Sequence, residues 1–179
     1  MEKEELIKKA YDLGFKYEKN YRGCSQCAIA AIQDALNVRN DWVFKAGSGL
    51  ATGLGLLGDG VCGGYSGGVM VMSTFFGRIR DKFDGDREEK YCSFEMAVKL
   101  HDRFMEEFGT IICKEIHKKL FGRYFNLWNS DEKQEFEKLG AHKDKCTSVV
   151  AKASAWATEL ILEELKNRNL SLDNFKFVI

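Results

Sequence analysis

An all-α fold, a single-domain bundle of about seven or eight helices, is predicted by three observations on this chain. None of its 179 residues is proline, so the usual helix breaker is missing. Apolar residues recur at a helical period through most of the length, and no stretch alternates as a half-buried strand would. Ten of the seventeen glycines fall between Gly47 and Gly68, marking a glycine-rich central segment. The domain is expected to span residues 1–179.

The first helix is predicted over 3–18, where Leu6, Ile7, Ala10, Leu13 and Tyr17 share one face. After Tyr21-Arg22-Gly23 a second runs from Cys24 to Leu36, with Ala28, Ala31, Ile32 and Ala35 inward. Asn40 caps a third, with Asp41 well placed in its first turn, and this helix dissolves into the glycines after Thr52. A fourth, apolar helix follows Cys62 and ends near Gly77. The charged stretch 78–90 reads as a solvated loop turning at Gly85. Helical spacing resumes over Ser93–Phe108 through Met96, Ala97, Leu100, Phe104 and Phe108, then over Cys113–Phe121. Ser130-Asp131-Glu132 caps a helix over 131–139. The last long helix is predicted over 146–166, with Val149, Val150, Ala153, Trp156, Ala157, Leu160 and Ile161 inward. The tail from Leu170 to Ile179 is expected to dock on the body or on a neighbour.

Composition removes several function classes. Lysine plus arginine and aspartate plus glutamate balance at 27 each, which gives a nucleic-acid partner no support. The start, MEKEELIKKA, is charged where a secretion signal needs an apolar region. Six cysteines in that context point to a reducing compartment and a cytoplasmic location. The eighteen residues Gly60–Gly77 carry no charge, a length that could span a membrane. Six of them are glycine, and a tightly packed core helix is the expected reading, with no membrane span.

Helical phase sorts the cysteines. Cys24 shares a stripe with Ala28, Ala31 and Ala35, Cys113 with Ile116 and Leu120, and Cys146 with Val149, Val150 and Ala153. Each therefore points inward from the start of a helix, and Cys62 opens the fourth helix. Helix starts favour anions, and cysteine pKa values fall there, so thiolates are expected. Four inward thiolates suit a metal ion or an iron–sulfur cluster. A free cysteine is also among the most buried residue types. Taken singly, each reads as a small hydrophobe; for the set of four, the two readings stand level.

Cys24-Ser25-Gln26-Cys27 has the spacing of redox dithiols and of zinc sites. Ala28 follows, so the motif cannot attach a c-type haem, and no βαβ pattern supports a thioredoxin-like fold. Cys92, beside the charged loop, reads as incidental and open to oxidation. His142, four residues before Cys146, is a candidate ligand or proton carrier. His101 and His117, among charged neighbours, are expected to be solvated or hydrogen-bonded rather than ligating. No phosphate loop appears: the glycine run lacks Gly-Lys-Ser/Thr, and Gly53-x-Gly55-x-x-Gly58 lacks the preceding strand of a dinucleotide site.

The order Gly23-Cys24-Ser25-Gln26, Cys62-Gly63-Gly64-Tyr65-Ser66-Gly67, Phe108-Gly109-Thr110 leading to Cys113, and then Cys146, resembles a known family. It is the family of putative redox-active proteins named for four cysteines and a Cys-Gly-Ala-x-x-Gly motif. The resemblance covers residues 5–165, with Gly64 standing at the family's alanine and Cys27 and Cys92 extra to its four. The chain is also similar to the body of the split-Soret cytochromes c, helical dimers that carry haem and an iron–sulfur cluster.

Carried over, the resemblance implies Cys24, Cys62, Cys113 and Cys146 as ligands of one iron–sulfur cluster, [2Fe–2S], in a small electron carrier or redox sensor. It implies no catalytic residues, a homodimer, and a redox protein partner of unknown identity. Gly63, Gly64, Gly67 and His142 are the expected accessory residues. Two rivals remain: a thiol–disulfide oxidoreductase using Cys24 with Cys27 or Cys62, and a structural zinc protein with the same four ligands.

Overall fold

The computed structural model describes residues 2–85 and 87–175. Eight α-helices account for the fold, and among the described residues there is no strand. They are α1 (Lys3–Tyr21), α2 (Cys24–Leu36), α3 (Asp41–Ala46), α4 (Gly63–Phe76), α5 (Arg87–Phe108), α6 (Cys113–Phe121), α7 (Ser130–Lys138) and α8 (Cys146–Asn167). The all-α class is as the periodicity indicates. Among the described residues no helix is long and apolar enough to cross a membrane.

Helices α1, α2, α4 and α8 pack on one another, and α5 closes the group against α4 and α8. The core lies between them, built on Ile29, Ile32, Met72, Phe76, Met96, Leu100, Phe104 and Ile161. A separate aromatic cluster, Phe125 and Phe136 with Phe121 and Leu127, fills the space beneath α6 and α7.

Several boundaries differ from the sequence reading, each for a local reason. Helix α3 stops at Ala46, before the expected Thr52, because Gly47 and Gly49 let the chain turn into a short 3₁₀ segment at Ser48–Leu50. Helix α5 begins at Arg87, inside the stretch read as a loop. Glu88 and Glu89 suit its first turn, and Arg168 Nη1 holds Glu89 at 2.7 Å. Asn129, rather than Ser130, caps α7, its Oδ1 accepting from the N–H groups of Asp131 and Glu132. A π-helical turn, Ala141–Lys145, leads directly into Cys146, a local widening that recurs at functional sites. At the tail, the Phe175 ring packs 4.9 Å from Phe75 and 5.9 Å from Phe76, so this part docks on the body. The rest of the tail, 176–179, lies outside the described residues.

Candidate functional site

A cavity of about 180 Å³ lies between the helix starts, and Cys24, Cys62, Cys113 and Cys146 all line it. The sequence brings them there from four separate segments. Cys24 opens α2, Cys62 is the residue before α4, Cys113 opens α6 and Cys146 opens α8. An isolated antiparallel bridge, Val61 to Ile112, sets two of them side by side. Around it the Cys62 N–H donates to the Ile111 carbonyl at 2.7 Å and the Cys113 N–H to the Gly60 carbonyl at 3.0 Å. No periodicity in the sequence reveals that two-residue bridge.

The other two cysteines point elsewhere. Cys27 Sγ donates to the Arg22 carbonyl at 3.0 Å and borders a shallow depression with Tyr17, Tyr21 and Gln26. The Cys24–Cys27 pair is thus divided between two surfaces. Cys92, expected to be an exposed thiol, is buried on α5 with its Sγ 3.5 Å from Glu164 Oε1. All six cysteines are free.

The expected thiolates are not what the cavity favours. Backbone N–H groups do reach the sulfurs: Gly64 and Tyr65 toward Cys62, and Thr52 toward Cys24 at 3.3 Å. Burial outweighs them, because a charged sulfur in an apolar enclosure loses its hydration. Cys62 is pushed up to about 11, and Cys24, Cys113 and Cys146 also rise. Burial is the main cause in each case, with Glu18 adding to it. The thiols are therefore neutral at physiological pH unless a cation joins them.

Two further residues in the cavity wall were not among the expected site residues. His117, expected to be solvated or hydrogen-bonded, is 3 % exposed, with Nε2 3.7 Å from Cys113 Sγ and 4.0 Å from Cys146 Sγ. Its ring lies against Phe121, Tyr124 and Phe136, and Nδ1 has no partner. Burial, and then His142, lower its pKa to about 4. The signal was its spacing, four residues after Cys113 on the same helical stripe. Glu18 is likewise buried, at the end of the α1 stripe Leu6, Ala10, Gly14, Glu18, and its Oε2 has no partner.

His142 also lines the cavity and links Glu18 to Glu137. Its Nδ1 lies 2.7 Å from Glu137 Oε1 and its Nε2 3.4 Å from Glu18 Oε1. The accessory glycines act differently: Gly63, Gly64 and Gly67 stay outside the lining and let α4 pack closely on α2 and α8. His101 is half-exposed beside Asp102, in keeping with a solvated role.

Sulfur, carboxylate and imidazole are donor types that metal groups take. Four sulfurs line the cavity with Glu18 and His117, and Glu18 Oε2 and His117 Nδ1 have no hydrogen-bond partner. No single-ion site is formed: among the described residues, no group of three His, Cys, Asp or Glu could hold a metal ion.

The loop over the cavity carries backbone strain. Residues 52–56 all have positive φ, and Thr52, Leu54 and Leu56 do so at 49°, 72° and 66° without being glycine. A left-handed run costs L-residues about 1–2 kcal/mol each. It persists here because Tyr124 Oη and Trp128 Nε1 donate to the Leu56 and Gly55 carbonyls while Thr52 N–H serves Cys24. Leu54 is half-exposed, so Leu54→Gly loses little packing. We expect it to stabilise the chain by up to about 1 kcal/mol, after the entropy of the added glycine, measured by urea unfolding.

Comparison with curated proteins and with solved structures returned no match. Residues 23–160, most of the chain and all four cavity cysteines, match the model of a protein family. Its name pattern is written with glycine before the second cysteine, unlike the Cys-Gly-Ala-x-x-Gly order given above; here Val61 precedes Cys62, and Gly63 and Gly64 follow. A match of this extent, taking in all four cavity cysteines, means that the chain belongs to the family described as Putative redox-active protein (C_GCAxxG_C_C).

Proposed function

We propose that this chain is a one-electron carrier or redox sensor in which Cys24, Cys62, Cys113 and Cys146 hold an iron–sulfur cluster, [2Fe–2S]. The observation that carries the reading is the convergence of these four sulfurs, without Cys27 or Cys92, on one cavity. The space is larger than one ion needs, and among the described residues no three donor side chains form a single-ion site. When bound, such a cluster supplies one-electron chemistry. The chain's own contribution is positioning and tuning. The N–H groups of Gly64 and Tyr65 at Cys62 and of Thr52 at Cys24 stabilise sulfur charge and raise the potential. Ile116, Val149 and Val150 exclude water. Glu18, within the wall, opposes excess negative charge on the sulfurs.

A thiol–disulfide reading has one contact in its favour. Cys24 Sγ packs directly on the backbone of Gly63, next to Cys62. Oxidation there would join the two sulfurs and pass two electrons and two protons to an acceptor disulfide. The raised thiols oppose it, because the thiolate is the attacking form.

The test is anaerobic purification, with reconstitution by ferrous iron and sulfide, followed by the visible spectrum and assays of iron, sulfide, zinc and free thiols. We expect a coloured protein that keeps its iron in Cys27→Ser and Cys92→Ser and loses it when any of the four cavity cysteines becomes serine. A colourless protein with one zinc per chain, or one with a dithiothreitol-reversible change of two thiols and no metal, would sink the cluster.

A further inference from the structure

Helix α5 has two apolar faces, and the described residues cover only one. Met96, Leu100, Phe104 and Phe108 point into the core. On the other side, Tyr91, Phe94, Val98 and Met105 stand 48, 53, 57 and 42 % exposed. Half-exposed His101 fills the remaining place, so the series 91, 94, 98, 101, 105 steps by three and four alternately. That alternation is the seam of a two-helix coiled coil, the a and d positions of a heptad. The outer face of an ordinary surface helix is polar instead.

The flanks say what covers the seam. One edge carries Glu88, Glu95 and Asp102, the e positions; the other carries Lys90 and Ala97 at g, the next g residue, Phe104, being turned into the core. Among the described residues Glu95 makes no ion pair, and Lys90 has only the rings of Tyr91 and Phe94 beneath it. Lys90 precedes Glu95 by five residues, the g-to-e′ spacing that pairs across two parallel helices. A second copy in parallel register sets Lys90 of each chain beside Glu95 of the other, twice by two-fold symmetry. An antiparallel copy would set the two acidic edges against each other.

We propose that α5 pairs with α5 of a second copy in parallel register, through the seam Tyr91, Phe94, Val98, His101 and Met105, to form a two-fold dimer. The cysteine cavity is complete within one chain, so this inference is independent of what the sulfurs hold. A seam of this length buries less than a standard interface, and a dissociation constant of about 1–10 μM is expected.

Sedimentation velocity of the full chain across about 1–100 μM tests the proposal, that range bracketing the expected constant. The wild type should dimerise, and Val98→Glu should weaken the dimer by about 100-fold or more, since it buries two unpaired carboxylates. Its circular dichroism and melting as a monomer should match the wild type, because Val98 faces away from the core. Lys90→Glu should weaken the dimer, and Lys90→Glu combined with Glu95→Lys should restore it. A wild type that stays monomeric at the highest concentration overturns the proposal, leaving the seam to a different protein. So does a dimer indifferent to Val98→Glu. Failure of the double exchange to restore pairing overturns the parallel register.

Discussion

Gly67→Ala is expected to destabilise the chain by about 3 kcal/mol, at the upper end of overpacking costs. A Cβ at Gly67 would lie 2.5 Å from the Ser25 carbonyl oxygen and 3.1 Å from Ala28 Cβ, both on α2. One at Gly63 would overlap Cys24 Sγ and lie 2.8 Å from Ser25 N, so Gly63→Ala should cost a similar amount. Helix α2 cannot step back cheaply. Ser25 is fully buried and donates through Oγ to the Gly47 carbonyl at 2.8 Å, and retreat would also pull Cys24 from the cavity. Gly64 supplies the contrast: its Cβ would meet Ala153 Cβ at 3.1 Å and Val150 Cα at 3.6 Å, a contact that a small shift relieves. Alanine gains about 1 kcal/mol of helix propensity, so Gly64→Ala should change stability by less than about 1 kcal/mol. Guanidinium unfolding of the three metal-free variants checks the ranking, and equal midpoints would show that α2 and α4 are not packed backbone to backbone.

That contrast bears on how much of the site the sequence discloses. Helical phase turns Cys24, Cys113 and Cys146 inward, because burial of an apolar stripe forces a regular period and a cysteine inherits its neighbours' direction. Phase does not set Cys27 and Cys92 apart, since both are buried, Cys92 in step with Met96 and Leu100; the cavity lining makes that division. The role of the glycines is only half legible. Their density at Gly63, Gly64 and Gly67 announces close approach, but not that the partner is the backbone of α2 at two of them and α8 at the third.

The electrostatics are legible least. A cysteine at a helix start suggests a lowered pKa, since the local N–H groups can be read from the sequence. The opposing desolvation depends on which distant segments close over the sulfur, and these come from α1, α6 and α8. Glu18 is an example. It sits in a run of charged residues, Lys16 to Lys19, that looks solvated, yet its phase with Leu6, Ala10 and Gly14 takes it inside. There it raises all four cavity thiols. The same holds for His117, whose flanking lysines suggest a surface position.

His117 turns that enclosure into a measurable pH dependence. Its folded pKa of about 4 lies below the ordinary 6.5, so the unfolded chain takes up the proton first as pH falls. The contribution is fully present above the unfolded value and is lost between pH 6.5 and 4. Below that window both states are protonated and the loss stops. The shift corresponds to about 3 kcal/mol over the window. His117→Phe should retain the contacts with Phe121, Tyr124 and Phe136 while removing the titration. The difference between wild type and variant, from urea unfolding of the reduced, metal-free proteins, should be flat above pH 7 and fall toward pH 4. Carboxylates titrate in both proteins and cancel, and the raised thiols do not titrate in this range. A difference curve that stays flat to pH 4 would mean that His117 reaches water and that the cavity is open on the α6 side.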